Sequence, residues 1–428
     1  VTNPTNVQPG EKIIIIGGGL AGVTTAYELA CANASVIVVE ANEDVALETS
    51  FANGGMLTPS QSDPWNSPGV TKHLLASLID PTAAMKLHLR AVPDLTLWGL
   101  RFLRNSTPQK YQKATQAGFR LAEYSVQRIE TSGKKHKIDY DASSRGSLRI
   151  FGSEIELNIA AARSELLRPF GLEFALLDAG GVFDIEPSLK QSNAKIVGGL
   201  HYPDDRAGDA RKFTQGLAEK ARALGVDFRT GVRVSRLALD NGAIVGVETN
   251  CGVISGAHVV LTNGIGAPSL AKGVDVRLPI KPVKGYSLTL ETNGANDMVR
   301  MPVVDDNLHA AVTPLGTRIR AVGTAEFTGE DTSIQPIRIG MLEKFLKRVQ
   351  PSLAARLNFE TADAWAGLRP MSVDGLPFIG GTTIKGLWVN AGHGHLGWTM
   401  SMGSAALLTK LMTGKASPID PSPYRINR

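Results

Sequence analysis

Lys12-Ile-Ile-Ile-Ile16 runs straight into Gly17-Gly-Gly-Leu-Ala-Gly22, and a helical pattern then continues to Leu29. An apolar β-run stopped by three glycines and followed at once by a helix leaves few folds open. The spacing Gly17-x-Gly19-x-x-Gly22 permits a tight turn, close approach of main chain to a pyrophosphate, and close packing of helix on strand. The start of that helix offers unpaired N–H groups and the positive end of its dipole to phosphate oxygens. A second apolar run, Ser35-Val-Ile-Val-Val39, ends at Glu40, where an acidic side chain can accept from both ribose hydroxyls and disfavours a 2′-phosphate. Gly17, Gly19, Leu20, Ala21, Gly22, Glu40 and Ala41 are therefore expected to hold a dinucleotide, FAD or NAD rather than NADP.

Composition narrows the class. A chain of 428 residues, 43% hydrophobic and 20% charged, is long enough for two or three domains and far from the signature of disorder. Its 45 Lys and Arg against 40 Asp and Glu leave only +5. The one tight basic cluster, Lys134, Lys135, His136 and Lys137, reads as a solvated turn, so no nucleic-acid partner is expected. Cys31 and Cys251 fit no metal-ligand spacing and no disulfide framework; each reads as a small core residue, and no metal site is expected. No apolar stretch approaches the length of a membrane span, and no secretory signal pattern opens the sequence. A reduced cytoplasmic setting is the expectation, or peripheral contact with the inner face of the cytoplasmic membrane.

Along the chain, residues 61–195 read as mostly helical, with amphipathic segments around Leu74 to Leu103 and Tyr111 to Ile129. A helix over Asp209 to Leu224 leads to strands at Val226 to Arg229, Val232 to Leu239, Ile244 to Thr249 and His258 to Thr262. Further β-rich runs cover Tyr286 to Glu291, Ala310 to Pro314 and Thr317 to Gly323, before helices at Pro336 to Val349 and Met402 to Met412. This order predicts a nucleotide domain (10–60, 196–275 and 365–428) interleaved with a second domain (61–195 and 276–364). The 45 glycines, about one residue in ten against a usual share near 7%, recur in three further places. These are Glu48-Thr-Ser-Phe-Ala-Asn-Gly-Gly55, Thr262-Asn-Gly264 and Gly392-His-Gly-His-Leu-Gly397. A large cofactor wrapped by distant segments accounts for them better than a nicotinamide site within one contiguous domain, which favours FAD.

Together with Lys284-Gly-Tyr-Ser-Leu288, Gly367-Leu-Arg-Pro-Met-Ser-Val-Asp-Gly375 and Trp398-Thr399, these segments strongly resemble the bacterial D-amino acid dehydrogenases. That family belongs to the wider group of D-amino acid, glycine and sarcosine oxidases. The resemblance runs from about Lys12 to Lys415. It implies an α/β plus α+β architecture: a Rossmann-like FAD domain interleaved with a substrate domain built on an antiparallel sheet with helices. It also implies that Arg369 orients the substrate carboxylate, a task suited to a guanidinium fork. Gly394, His395, Leu396, Gly397, Trp398 and Thr399 would line the flavin, with the His395 carbonyl accepting from the substrate amine. Ser50, Asn53, Gly54, Gly55 and Met56 match the segment beside the isoalloxazine, Val234 the strand that meets adenine, and Asn263 with Gly264 the turn passing the cofactor. Tyr286 is the nearest tyrosine for a second carboxylate contact, His309 stands within reach of the pocket, and His393 reads as a structural ring. No cysteine lies near the C-terminal motif to tether a flavin, so FAD is expected to be non-covalent.

The implied reaction is oxidative deamination of D-amino acids to 2-oxo acids and ammonia, by hydride transfer from the α carbon to FAD N5. Positioning would do most of the work, since a deprotonated amine assists hydride departure. Electrons would pass to a quinone or another acceptor. The alternatives are an oxidase that uses oxygen on glycine, N-substituted amino acids, cyclic imino acids or L-amino acids, and a flavin-binding electron-transfer subunit without catalysis.

Overall fold

The computed structural model describes residues 7–8, 10–70, 85–306 and 308–428. Ile13, Ile14 and Ile15 have no exposed surface, as expected of a strand with neighbours on both edges and layers on both faces. Lys12–Ile16 pairs in parallel with Ser35–Val39 on one edge and with His258–Leu261 on the other. Asp227–Arg229 and Leu387–Ala391 extend these edges in parallel, and Phe378–Gly381 closes the six-stranded sheet antiparallel. Ile13 and Ile15 face the helices Leu20–Cys31, Ala210–Ala223 and Gly397–Met412. Ile14 and Ile16 face a three-stranded antiparallel sheet of Val234–Asp240, Ala243–Thr249 and Gly252–Ser255.

The helix Gly397–Met412 is apolar almost all round, and its residues from Trp398 to Thr409 are buried, which marks it as a core helix rather than an amphipathic surface one. Thr24 Oγ1 donates to the Ser401 carbonyl at 3.3 Å, tying it to the first helix. On its other side, a Cβ on Gly403 would lie 2.8 Å from the Leu121 carbonyl, so the long helix Pro108–His136 packs at glycine distance.

A second, nine-stranded sheet carries the other half of the molecule. Asp363–Ser372, Ile280–Glu291, Arg318–Phe327, Ala310–Leu315 and Val303–Asp305 run antiparallel in that spatial order. Ser147–Phe151 then joins in parallel, followed by Gly198–Tyr202 and Ala175–Asp178, while Met85–Leu87 pairs in parallel with Arg318–Phe327. Pro336–Val349 covers one face.

Residues 61–195 are mostly helical as expected, with Val92–Arg104, Pro108–His136, Glu154–Glu165 and Ala179–Ile185, and also hold three strands that local pattern did not announce, Met85–Leu87, Ser147–Phe151 and Ala175–Asp178. The last two find their partner in Gly198–Tyr202, and short strands completed from a distance carry little local signal. The part of the expected Leu74 segment covering 74–84 lies outside the described residues. Strands Gly198–Tyr202 and Asp363–Ser372 belong to the nine-stranded sheet, across the divisions drawn at 196 and 365.

The basic cluster is no turn. Lys134, Lys135 and His136 form the last turn of a helix capped by left-handed Lys137, a place where positive charge opposes the negative end of the dipole. Nor are the cysteines in the core: Cys31 ends a helix on its solvent side, and Cys251 lies between the hairpin strands Ala243–Thr249 and Gly252–Ser255, both exposed. Among the described residues no cluster of His, Cys, Asp and Glu could hold a metal.

Candidate active site

The glycine turn is built on steric necessity. A Cβ on Gly22 would sit 1.8 Å from the Gly17 carbonyl oxygen, so only glycine lets the helix Leu20–Cys31 lie so close to its strand. Gly17 has φ +104° and its missing Cβ makes room for Asn263. Gly19 caps the helix without any side-chain bond, no acidic residue enters the first turn, and the Leu20 N–H donates to Ser50 Oγ at 3.1 Å. The Glu40 carboxylate accepts from the Gly18 N–H at 2.5 Å and from the Asn42 N–H and Nδ2 at 2.8 Å each, which fixes it at the strand end beside the turn.

A cavity of about 1000 Å³ opens from this turn across to the nine-stranded sheet. Gly17, Gly19, Leu20, Ala21, Glu40, Ala41, Ser50, Asn53, Gly54, Met56, Val234, Asn263, Gly264 and Gly394 to Thr399 line it, as do Arg369, Tyr286 and His309. Gly22 and Gly55 do not: the first stands behind the turn, and the second packs toward Leu315 and Thr313. Asn53 and Gly54 are pinned from the far sheet, their carbonyls accepting from Arg320 Nη1 at 3.0 Å and Thr313 Oγ1 at 2.8 Å. The helix beginning at Gly397 also has no side-chain cap and no acid in its first turn. Two uncapped helix starts thus face one space. Trp398 contributes only main chain there, because its indole donates to the Gly208 carbonyl and packs on Tyr140 and Phe213. Four atoms of cavity-lining residues, Gln61 Nε2, Asn263 Oδ1, Thr324 Oγ1 and Asn390 Oδ1, are buried without a partner among the described residues. Unsatisfied groups of this kind call for a polar ligand, and with the glycine cradle they fit a bound dinucleotide.

Arg369 lies over the floor of the nine-stranded sheet. Gly285 and Gly367 face each other in register on the strands Ile280–Glu291 and Asp363–Ser372. A Cβ on Gly285 would fall 2.2 Å from Arg369 Nη1, and one on Gly367 would fall 1.9 Å from the Trp365 ring. The two glycines make a flat bed for a guanidinium and an indole. Arg369 Nη1 donates to the Thr324 carbonyl at 3.1 Å and its Cζ lies 5.6 Å from the centre of the Trp65 ring, with no carboxylate partner among the described residues. Burial lowers its pKa to about 10. Trp65 in turn stacks on His395, ring centres 5.2 Å apart.

The other candidates sort by geometry. Successive strand residues face opposite sides, so Tyr286, next to Gly285, turns away from Arg369. Its hydroxyl donates to Glu326 Oε2 at 2.6 Å, in a buried group where Arg338 Nε also donates to Glu326 at 2.9 Å. Burial first, then the Glu326 bond, pushes the phenol's pKa up. Tyr286 borders the cavity, but its hydroxyl is committed to Glu326 and is not placed for a carboxylate clamp. His309 is an exposed, left-handed residue (φ 44°) on the cavity wall. His395 Nε2 meets the Gln61 carbonyl at 3.3 Å, and burial lowers the ring's pKa to about 4, so it is neutral at pH 7. His393 is bonded to Ser404 Oγ at 3.0 Å and is likewise lowered to about 4 by burial, consistent with a structural ring. The wall that holds His395 is anchored by Asp205, which accepts from Ser60 Oγ and Ser147 Oγ at 2.6 Å each; burial raises its carboxyl to about 6.

Sequence reasoning missed Trp65, Trp365, Gln61 and the bed made by Gly285 and Gly367. The alternation in Lys284-Gly-Tyr286 already put Gly285 and Tyr286 on opposite faces of the strand, so only one of them could stand on the side of Arg369. No local pattern marked Trp65, which reaches Arg369 across some 300 residues of chain.

Comparison with known proteins follows the same lines. The model of a family described as FAD dependent oxidoreductase matches residues 12–411. D-amino acid dehydrogenase of Cereibacter sphaeroides is 39% identical over 417 residues, covering 97% of this chain and 95% of its own. D-amino acid dehydrogenase of Chromohalobacter salexigens is 38% identical over 418 residues, covering 97% and 99%. Among solved structures, glycine oxidase from Geobacillus kaustophilus superposes with a TM-score of 0.76 at 21% identity, over 98% of this chain and 99% of that one.

Proposed function

Because the chain belongs to the FAD dependent oxidoreductase family and is therefore a flavoenzyme, we propose that it acts as a D-amino acid dehydrogenase. It would oxidise the Cα–N bond of a D-amino acid to an imino acid, which water converts to a 2-oxo acid and ammonia, and pass the electrons to a quinone or another carrier. The observation that carries this reading is Arg369, a cation enclosed in the cavity with a flat bed beneath it and no carboxylate partner among the described residues. A guanidinium so placed suits a substrate carboxylate bound by both oxygens.

FAD, when bound, accepts the hydride from Cα. Gly17, Gly19, Leu20 and Ala21 would hold its pyrophosphate, Glu40 and Ala41 its ribose, Val234 its adenine, and Asn263 with Gly264 the passing turn; Gly22 acts from behind. Ser50, Asn53, Gly54, Met56 and Gly394 to Thr399 would border the ring system, without a covalent tether. Arg369 orients the substrate, the His395 carbonyl accepts from its amine, and the neutral imidazole, held against Trp65, adds no charge beside the guanidinium. The protein's part is thus to hold Cα–H in line and keep water out while the amine gives up its proton.

We assign FAD to residues 10–60, 196–275 and 365–428 and substrate to 61–195 and 276–364, with strands Gly198–Tyr202 and Asp363–Ser372 going to the substrate side. Among the described residues no helix is long and apolar enough to cross a membrane. We place the enzyme in the cytoplasm or at the inner face of the cytoplasmic membrane. Anaerobic addition of D-alanine to the yellow holoenzyme should bleach it, and L-alanine should not. Failure of every amino or imino acid to bleach it would overturn the reading, and stoichiometric peroxide on readmission of air would identify an oxidase instead.

A further inference from the structure

The strand Arg318–Phe327 changes faces partway along. Ile319 and Ala321 pack toward the helix Pro336–Val349, and a Cβ on Gly323 would meet Leu342 of that helix at 3.2 Å. Ala325 and Phe327 point the other way, into the cluster of Trp98 and Phe102. In an uninterrupted ladder residues two apart share a face. The pairing with Ile280–Glu291 shows where the ladder is interrupted: Tyr286 lies opposite Gly323 and Lys284 opposite Glu326, so Gly285 alone faces two residues, Thr324 and Ala325. Thr324 is the extra residue of a β-bulge. Its φ is 64°, and among the described non-glycine residues it is the only one with a positive φ inside a strand and the only β-branched one with a positive φ anywhere. Its hydroxyl is buried without a partner among the described residues.

A left-handed bulge position is ordinarily given to glycine. Threonine there combines a strained backbone, a broken ladder and an unsatisfied hydroxyl, and such a residue persists where the surroundings hold it to a task. The task visible here is to aim a carbonyl. That of Thr324 accepts from Arg369 Nη1 at 3.1 Å, beside the Gly285 surface on which the guanidinium lies. From this geometry we infer that Thr324 is a positioning residue for the substrate carboxylate: its bulge fixes the Arg369 guanidinium flat over Gly285 and leaves the remaining N–H groups of the fork for the ligand. Holding the fork before the ligand arrives spares the cost of ordering it on binding. Glycine at the same place would relieve the backbone but free φ and ψ, so that the carbonyl could swing away. The inference rests on the reading of Arg369 as the partner of the substrate carboxylate.

The test measures the affinity of the holoenzyme for propionate, which has the carboxylate of D-alanine without its amine, by calorimetry, beside the KM for D-alanine. Deleting Thr324 makes the ladder regular, with Gly285 opposite Ala325 and every later side chain of the strand on its present face. The deletion should weaken propionate binding and raise KM about tenfold or more, with kcat at saturation changed less. Thr324→Gly, which keeps the bulge but loosens it, should weaken propionate about twofold to fivefold without lowering the thermal midpoint, and serves in place of the deletion if that variant does not fold. Neither change should weaken propionate further in an Arg369→Ala background, because Thr324 acts only through that side chain. Unchanged propionate affinity in the folded deletion variant, or in Thr324→Gly where it stands in, overturns the inference, as does a loss that persists undiminished in Arg369→Ala. If Arg369→Ala alone leaves propionate affinity unmoved, it is the reading of Arg369 that fails. Coupled propionate binding without any oxidation of D-alanine removes the proposed activity and keeps the positioning role.

Discussion

A guanidinium enclosed by protein gives up its hydration, and among the described residues Arg369 receives in return only the Thr324 carbonyl and the face of Trp65. Such a cation binds an incoming carboxylate more strongly than an exposed arginine would. Replacing Arg369 by Ala should raise the KM for D-alanine about a hundredfold or more, while the flavin spectrum shows the cofactor still bound. Lys at this position should recover little of the loss, since one ammonium cannot hold two oxygens in a plane. Tyr286 provides the contrast. Tyr286→Phe leaves Glu326 short of a donor and should cost about 1 to 3 kcal/mol of stability in a urea titration, with KM moved less than about twofold. A rise in KM equal to that of the Arg369 variants would return the tyrosine to the substrate clamp.

Paired strands make the bed, so its chemistry belongs to the element and not to one side chain. Gly285→Ala puts a methyl 2.2 Å from Arg369 Nη1 and should raise KM as steeply as losing the arginine, although the arginine is still there; thermal unfolding should shift little. Gly22→Ala acts on the first helix, whose distance from its strand is set by a 1.8 Å approach. Overpacking of this kind costs about 1 to 3 kcal/mol, and flavin content at purification should drop with it. Elements with a local signature were legible in the sequence: the glycine turn, the helix Pro336–Val349 and the strands Asp227–Arg229, Val234–Asp240, Ala243–Thr249 and His258–Leu261 follow from period and punctuation. Strands such as Ala175–Asp178, and the stack of Arg369 on Trp65 on His395, depend on register between distant segments, which no single stretch encodes. The Cys31 and Cys251 positions were misread because side-chain size says nothing about which side of a helix end or hairpin faces solvent.

Over the whole molecule, three buried groups set opposing responses to acid. His393 and His395, near 4 in the folded protein against about 6.5 unfolded, stay neutral where the unfolded chain takes up protons, so folding loses stability as pH falls through that window. Asp205, near 6 in the folded protein, does the reverse and gains stability over the same range. Between about pH 6 and 4 the balance of two against one leaves a net loss of about 1.4 kcal/mol per pH unit from these groups. Asp205→Asn should roughly double that slope in urea titrations of the holoenzyme; an unchanged slope would mean that Asp205 titrates normally. The order of strands in the six-stranded sheet bears on a different matter, the timing of synthesis. Lys12–Ile16 is completed by His258–Leu261, and the neighbouring strand Leu387–Ala391 comes later still. At about 5 to 20 residues per second, one edge of a strand made almost wholly of isoleucine stays open on the ribosome for roughly 10 to 50 s. The newborn chain therefore depends on a chaperone, or on transient cover by its own helices, long before any flavin can bind.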